Sequence, residues 1–160
     1  MNRDELPFRI NCEGYFFNKE GEILAKKSEK GFIMFPGGGM DKGEKIEHTM
    51  LRETEEETGA NIKNLKKLAV ERIIWDKDWP KTEKQKRRYA SFKGDEMHFF
   101  TGDVESIKAT KESCEDFWRG KKFMDPNEVV EFIENEIKSA ENDEKINQRK
   151  IQLRLLKELL

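Results

Sequence analysis

An apolar run, Phe32-Ile33-Met34-Phe35, is cut off by Pro36 and followed at once by Gly37, Gly38 and Gly39. Glycines at such a point permit backbone angles and close approaches that a side chain forbids. After a short loop through Gly43 and Glu44, helical periodicity runs from Ile46 to Thr58, with Gly59 placed as a C-terminal cap. A strand handed through glycines to a helix constrains the fold around it. Ile46, Met50, Leu51 and Thr54 can anchor that helix to a sheet, which leaves another face open. There Glu53, Glu56 and Glu57 stand at i, i+3 and i+4, sharing an arc of about 100°. Three like charges repel, and clustered carboxylate oxygens are what a hard cation such as Mg²⁺ or Mn²⁺ requires. Arg52, beside them, can orient one carboxylate through a bidentate pair. The competing reading is a solvated acidic face with intrahelical ion pairs.

The flanking sequence supplies the sheet. Phe8 to Phe17 reads as a strand, Asn18-Lys19-Glu20-Gly21 as a hairpin turn, and Glu22 to Lys27 as its return strand. Leu65 to Trp75 and Met97 to Val104 are further strands, separated by a polar loop from Asp76 to Lys93. Asp125-Pro126-Asn127-Glu128 starts a helix carrying Val129, Val130, Ile133 and Ile137, and a leucine-rich helix covers about 144–160. Strands and helices mixed around one sheet give an α/β (α+β) fold. With 160 residues, no internal repeat and no dividing linker, one domain over 1–160 is expected.

Hydrophobic residues make up 35% of the chain and charged residues 40%, lean for a core, but eleven Phe and three Trp supply large buried surfaces. No apolar run approaches the roughly 20 residues that span a bilayer, and Met1 to Phe8 lacks a secretion-like segment, so a cytoplasmic protein without membrane association is expected. Cys12 and Cys114 have no metal-ligand spacing and read as reduced thiols. The net charge of −2 hides a division. From Asp41 to Ala60 seven acids face three bases, whereas from Asp76 to Lys93 seven bases face three acids.

Taken together, Gly38, Glu44, Arg52-Glu53, Glu56-Glu57 and Gly59 resemble the Nudix box, with Thr54 and Ala60 standing where the pattern has large aliphatics. A chance match at these fixed positions is on the order of 10⁻⁵. The order of elements around the box also resembles the α/β/α sandwich, with a mixed central sheet, of MutT-like Nudix hydrolases. The resemblance implies hydrolysis of a nucleoside diphosphate linked to another moiety, with Mg²⁺ or Mn²⁺. It implies Glu53, Glu56 and Glu57 as metal ligands, one of them acting on the attacking water. It further implies the carbonyl of Gly37 as a ligand, and Arg52 and Glu44 as residues that orient the constellation. A further carboxylate is expected from a later loop, with Glu112 as the candidate and Glu115, Asp116, Glu96 and Asp95 as competitors.

The substrate side is less constrained. Lys26, Lys27 and Lys30 are candidates to meet phosphates, as are Gly38 and Gly39 by position, with ordinary surface roles as the alternative. Trp75, Trp79, Phe99 and Trp118 offer stacking surfaces, against the commoner fate of burial. His98 reads as a packed histidine and His48 receives no role. The basic 76–93 loop, with Arg87 and Arg88, suits a long polyphosphate or an RNA 5′ end, or is simply solvated. The leading expectation is a nucleoside triphosphate cut to a monophosphate and pyrophosphate. Dinucleoside polyphosphates, nucleotide sugars and capped RNA are alternatives, and a nucleotide-binding module that no longer cuts is the rival of a different class. The C-terminal leucines allow a monomer or a homodimer.

Overall fold

The structure is a computed structural model and describes residues 2–108, 117–139 and 143–160. Its strands are β1 (Phe8–Phe17), β2 (Ile23–Leu24), β3 (Lys26–Lys27), β4 (Ile33–Met34), β5 (Gly37–Gly39), β6 (Ala60–Ile74), β7 (Gly94–Ile107) and β8 (Phe123–Met124). Its helices are α1 (Ile46–Thr58), α2 (Glu83–Ser91), α3 (Pro126–Ser139) and α4 (Asp143–Leu159). The main sheet runs β6-β7-β1-β2-β8, and β5 also pairs with β1. β1 lies parallel to β7, from Phe8 opposite Gly94 to Phe17 opposite Asp103, while the other pairs in this sheet are antiparallel. The sheet is therefore mixed, and the fold is α+β.

Alternation along β1 sends successive side chains to opposite faces, and each face has its own core. Tyr15, Met97 and Phe99 pack with Val129 and Ile133 of α3 and Leu155 and Leu156 of α4. Cys12, Phe16 and Phe100 pack with Ile46 and Met50 of α1 and with Trp118. Helices thus cover both faces of the sheet. Fully burying a side chain such as Met50 or Phe16, each 0% exposed, contributes roughly 1.5–3 kcal/mol. Among the described residues no helix is long and apolar enough to cross a membrane.

Strands β6 and β7 are longer than expected and β8 is an added strand, and three further differences shape the cleft. The return strand from Glu22 to Lys27 is broken at Ala25, whose N–H donates to the carbonyl of Lys122, so β2 stays in the main sheet while β3 pairs with β4. The three glycines after Pro36 form a strand of their own, β5, with Gly37, Gly38 and Gly39 opposite Glu13, Cys12 and Asn11. The segment from Asp76 to Lys93 contains helix α2, whose Thr82 and Gln85 form a complete capping box. By contrast α1 starts at Ile46 and ends at Thr58, and Gly59 closes it in the left-handed region with φ 78°.

A buried polar chain ties α4 to the strands. Gln152 donates through Nε2 to both oxygens of Glu13, at 3.1 and 3.0 Å, and Tyr15 donates to Glu13 at 2.7 Å. Arg149 donates to Gln152 at 2.8 Å, to the Ile33 carbonyl at 3.1 Å and to Glu136 at 3.0 Å. Burial pushes the Glu13 carboxyl up, against the hydrogen bonds of Tyr15 and Gln152. A buried acid is tolerated when its oxygens are paired in this way. The chain braces β1 and β4, the strands on either side of the turn into β5.

Candidate active site

Pro36 ends the strand register of β4, and the three glycines then run along the edge of β1. Their lack of side chains is a matter of space. A Cβ on Gly37 would stand 2.3 Å from the Cys12 carbonyl oxygen, and one on Gly38 would stand 2.5 Å from the carboxyl carbon of Glu53. Helix α1 therefore lies close enough to press its carboxylates onto the glycine backbone. Gly37 donates its N–H to Glu57 Oε1 at 2.9 Å.

Behind these carboxylates sits Arg52. It grips Glu44 with two parallel bonds, Nε to Oε2 at 2.8 Å and Nη2 to Oε1 at 3.0 Å. It also donates through Nη1 to Glu53 at 3.0 Å and to Glu56 at 3.2 Å. Thr49 completes the seat of Glu44 with a hydroxyl bond at 2.7 Å. The Arg52 bonds, then the Thr49 bond, hold the Glu44 carboxyl well below the usual carboxylate range, and the same pairing raises Arg52. Burial pushes Glu53 up, and Arg52 opposes the shift. Glu44 thus fixes Arg52, and Arg52 fixes Glu53, a second tier of support of the kind that sets ligand orientation.

Glu53, Glu57 and the three glycines line a cleft of about 800 Å³. Lys26, Lys30, Lys84 and Arg88 also line it, as do Arg9 and Trp118. The remaining expected residues lie elsewhere. Glu56, half-exposed, turns toward Arg52 and lines a neighbouring hollow of about 480 Å³ with His48 and Leu51. The three carboxylates of one helix face are therefore divided, because Arg52 stands one turn before Glu56 and draws it aside. Among the described residues no three His, Cys, Asp or Glu side chains are grouped to hold a metal.

Trp75 is 4% exposed, with its ring stacked 3.9 Å from that of Trp79 and its Nε1 donating to Asp95 at 3.2 Å. Phe99 is fully buried. Lys27 lies over the Phe132 ring, at 5.0 Å, and Arg87 is exposed away from the cleft lining. His98 bonds Glu96 at 2.9 Å within its strand, and His48 bonds Glu44 at 2.9 Å. Glu112, Glu115, Asp116 and Cys114 fall outside the described residues. Burial pushes the Cys12 thiol up to about 12, which leaves it inert.

Sequence reasoning missed Arg9 and Arg119 in the lining. A cation inside the apolar run of β1 was the available signal for Arg9, which is paired with Asp95 at 3.7 Å.

The donor set suits Mg²⁺ or Mn²⁺. Mg²⁺ keeps several waters and takes one or two protein carboxylates with substrate phosphates, so Glu53 and Glu57 against a bare glycine backbone are sufficient in kind. Gly38 leaves open the space at Glu53 that a methyl group would fill.

A family model described as the NUDIX domain matches residues 8–149. An RNA pyrophosphohydrolase of Actinobacillus pleuropneumoniae (serotype 5b) is 32% identical over 140 residues, covering 78% of this chain and 65% of that protein. The chain thus spans somewhat less than two thirds of that relative's length. A MutT protein from Bacillus halodurans superposes with TM-score 0.51 at 25% identity, covering 78% of this chain and 73% of that one. A NUDIX hydrolase from Nitrosomonas europaea shares the fold, with TM-score 0.56 at 12% identity over 89% of this chain and 85% of that one. With the box residues gathered as described and the family match spanning most of its length, the chain belongs to the NUDIX domain family.

Proposed function

We propose that the chain is a divalent-metal-dependent pyrophosphohydrolase that cuts a nucleoside triphosphate, or a related nucleoside diphosphate derivative, to a monophosphate and pyrophosphate. One observation carries this reading: Glu53 and Glu57 lie on the glycine strand in the same cleft as Lys26, Lys30, Lys84 and Arg88. An acidic floor beneath cationic walls suits a polyphosphate that arrives with a metal ion. Glu53 and Glu57 would hold Mg²⁺ or Mn²⁺ with the Gly37 carbonyl, and Glu56 would join them by leaving its bond to Arg52. The bound ion would neutralise phosphate charge and lower the pKa of water. Arg52 and Glu44 position Glu53. Gly38 and Gly39 let the Glu53 carboxylate and the Arg9 guanidinium sit on the backbone where the substrate arrives, and the lysines and arginines bind its phosphates.

A second reading, in which the triphosphate is an RNA 5′ end, is favoured by the relative named RNA pyrophosphohydrolase. Both readings place the protein in the cytoplasm, as a monomer or homodimer acting on a nucleotide or RNA substrate. The test is a panel of nucleoside triphosphates, 5′-triphosphate RNA, capped RNA, dinucleoside polyphosphates and nucleotide sugars, with Mg²⁺ or Mn²⁺ and with chelator. Chelator-sensitive release of pyrophosphate and a monophosphate end is expected. Binding without hydrolysis across the panel would instead favour a non-cutting nucleotide module.

A further inference from the structure

Helix α2 is one part of the cleft that lies outside the NUDIX box. Its capping box fixes where it begins, and Arg3 pins its far end. Arg3 donates to the Tyr89 carbonyl at 2.5 Å and to the Phe92 carbonyl at 3.1 Å, and its guanidinium covers the Tyr89 ring at 3.4 Å. Positions i and i+4 share a helix face, and Lys84 and Arg88 are such a pair; both line the cleft. Lys86 is exposed and turns to Glu83 at 3.4 Å. Among the described residues neither Lys84 nor Arg88 forms an ion pair within 4.0 Å, although the charge of Arg88 is felt at Asp95.

The two ends of the cleft differ in chemistry. At the Gly37 end stand Glu57, Met34 and Phe32, with Lys26 bonded to the Arg119 carbonyl. At the Gly39 end stands Arg9, whose guanidinium would meet a Cβ there at 2.6 Å. Arg9 is lowered first by burial and then by the charge of Arg88, so two cations are held against each other with Asp95 as partial relief. Of the aromatic rings beside α2, Tyr89 has one face under Arg3 and Trp79 has one face on Trp75. The α2 side chains that line the cleft, Lys84 and Arg88, are both cations and suit phosphate. From Gly37 to Gly39 the strand advances roughly 7 Å, the scale of a short phosphate chain laid along it.

We propose that α2 is a wall for the terminal phosphates. Lys84 and Arg88 seat the phosphates beyond the anhydride that is cut, and so make the site select a triphosphate end over a diphosphate end. This rests on the hydrolase reading for its catalytic consequence, but not for its binding.

The first probe is inorganic tripolyphosphate, titrated calorimetrically in chelator so that no metal and no turnover are involved. Replacing both Lys84→Gln and Arg88→Gln is expected to weaken tripolyphosphate binding by about tenfold or more. The control pair Lys77→Gln and Lys86→Gln removes the same charge from the same segment and is expected to stay within about twofold. Circular dichroism checks that α2 persists, and the single replacements serve if the double variant unfolds. Equal losses in both pairs, or none in either, would overturn the proposal.

In turnover, the K84Q/R88Q variant is expected to raise KM for nucleoside triphosphates several-fold more than for nucleotide sugars, which carry one phosphate beyond the cut where a triphosphate carries two. A defect that grows with RNA length at a constant 5′-triphosphate would mean that α2 holds the chain, and would also overturn it. If tripolyphosphate binding falls as expected and no substrate is cut by the wild type, the hydrolase reading fails and the phosphate wall stands.

Discussion

Replacing Gly38 by Ala separates chemistry from folding, because the structure says which atom must yield. Gly38 is strand backbone opposite Cys12 and has no positive φ, so alanine fits its conformation. Its methyl group would stand 2.5 Å from the Glu53 carboxyl carbon and 2.7 and 2.8 Å from the two oxygens. An ordinary contact begins at 3.4 Å, so the carboxylate must retreat by about 1 Å. The carboxylate is the end of a flexible chain, and an off-rotamer shift costs about 0.5–1.5 kcal/mol. Stability should therefore fall little. Activity should fall steeply, since a misplacement of about 1 Å can cost on the order of 10²-fold.

Gly37→Ala provides the contrast. Its methyl group meets backbone, the Cys12 carbonyl at 2.3 Å, which cannot yield without breaking the pairing of β5 with β1. The Gly37 variant should lose stability first. Urea denaturation and pyrophosphate release, measured on both proteins, read out the two effects. A folded Gly38→Ala protein with activity within about threefold of wild type would refute the placement of Glu53. So would a Gly38→Ala protein as unstable as the Gly37 variant.

Two further outcomes are expected. Thr82→Ala with Gln85→Ala removes the capping box of α2, costs about 1 kcal/mol locally, and should raise amide exchange across residues 83–91 while the rest of the protein is unchanged. Unaltered exchange there would mean that the Arg3 contacts alone hold the helix. For Glu44, the folded carboxyl lies below its unfolded value, so its stabilising effect is present above that value and is lost as pH falls through the folded one. The gap in melting temperature between wild type and Glu44→Gln should thus be constant from about pH 8 to about pH 5, and should close only below about pH 4. A gap that closed on approaching neutral pH would show that the Arg52 pairing is not its source.

Where a signal was local, the sequence carried it to the residue. The bounds of α1 follow from its apolar spacing and from Gly59, which needs nothing beyond its own turn. The break at Ala25 was not legible, because the carbonyl that takes its N–H belongs to Lys122, far along the chain. Helix α2 has a local signal that its composition masks. Thr82 and Gln85 stand at capping-box spacing, but the density of lysine and arginine read as a solvated loop. At the site, glycines and glutamates were identifiable from spacing, whereas which carboxylates share the cleft was not. Helix angles place Glu53, Glu56 and Glu57 together. Only the side-chain geometry shows that Arg52, bonded to Glu44, also takes Glu56. Aromatic residues gave the least, since an exposed and a buried tryptophan look alike until Trp75 is seen against Trp79.

In the proposed reaction a phosphoric anhydride is cut in the cleft floored by Glu53 and Glu57. Glu57→Gln tests it most directly, because a glutamine oxygen can still accept the Gly37 N–H and preserve the fold. With Mg²⁺ and a nucleoside triphosphate or 5′-triphosphate RNA, pyrophosphate release is expected to fall by about 10²-fold or more at an unchanged melting temperature. Unchanged turnover in a folded Glu57→Gln protein would mean that the anhydride is not cut at Glu57.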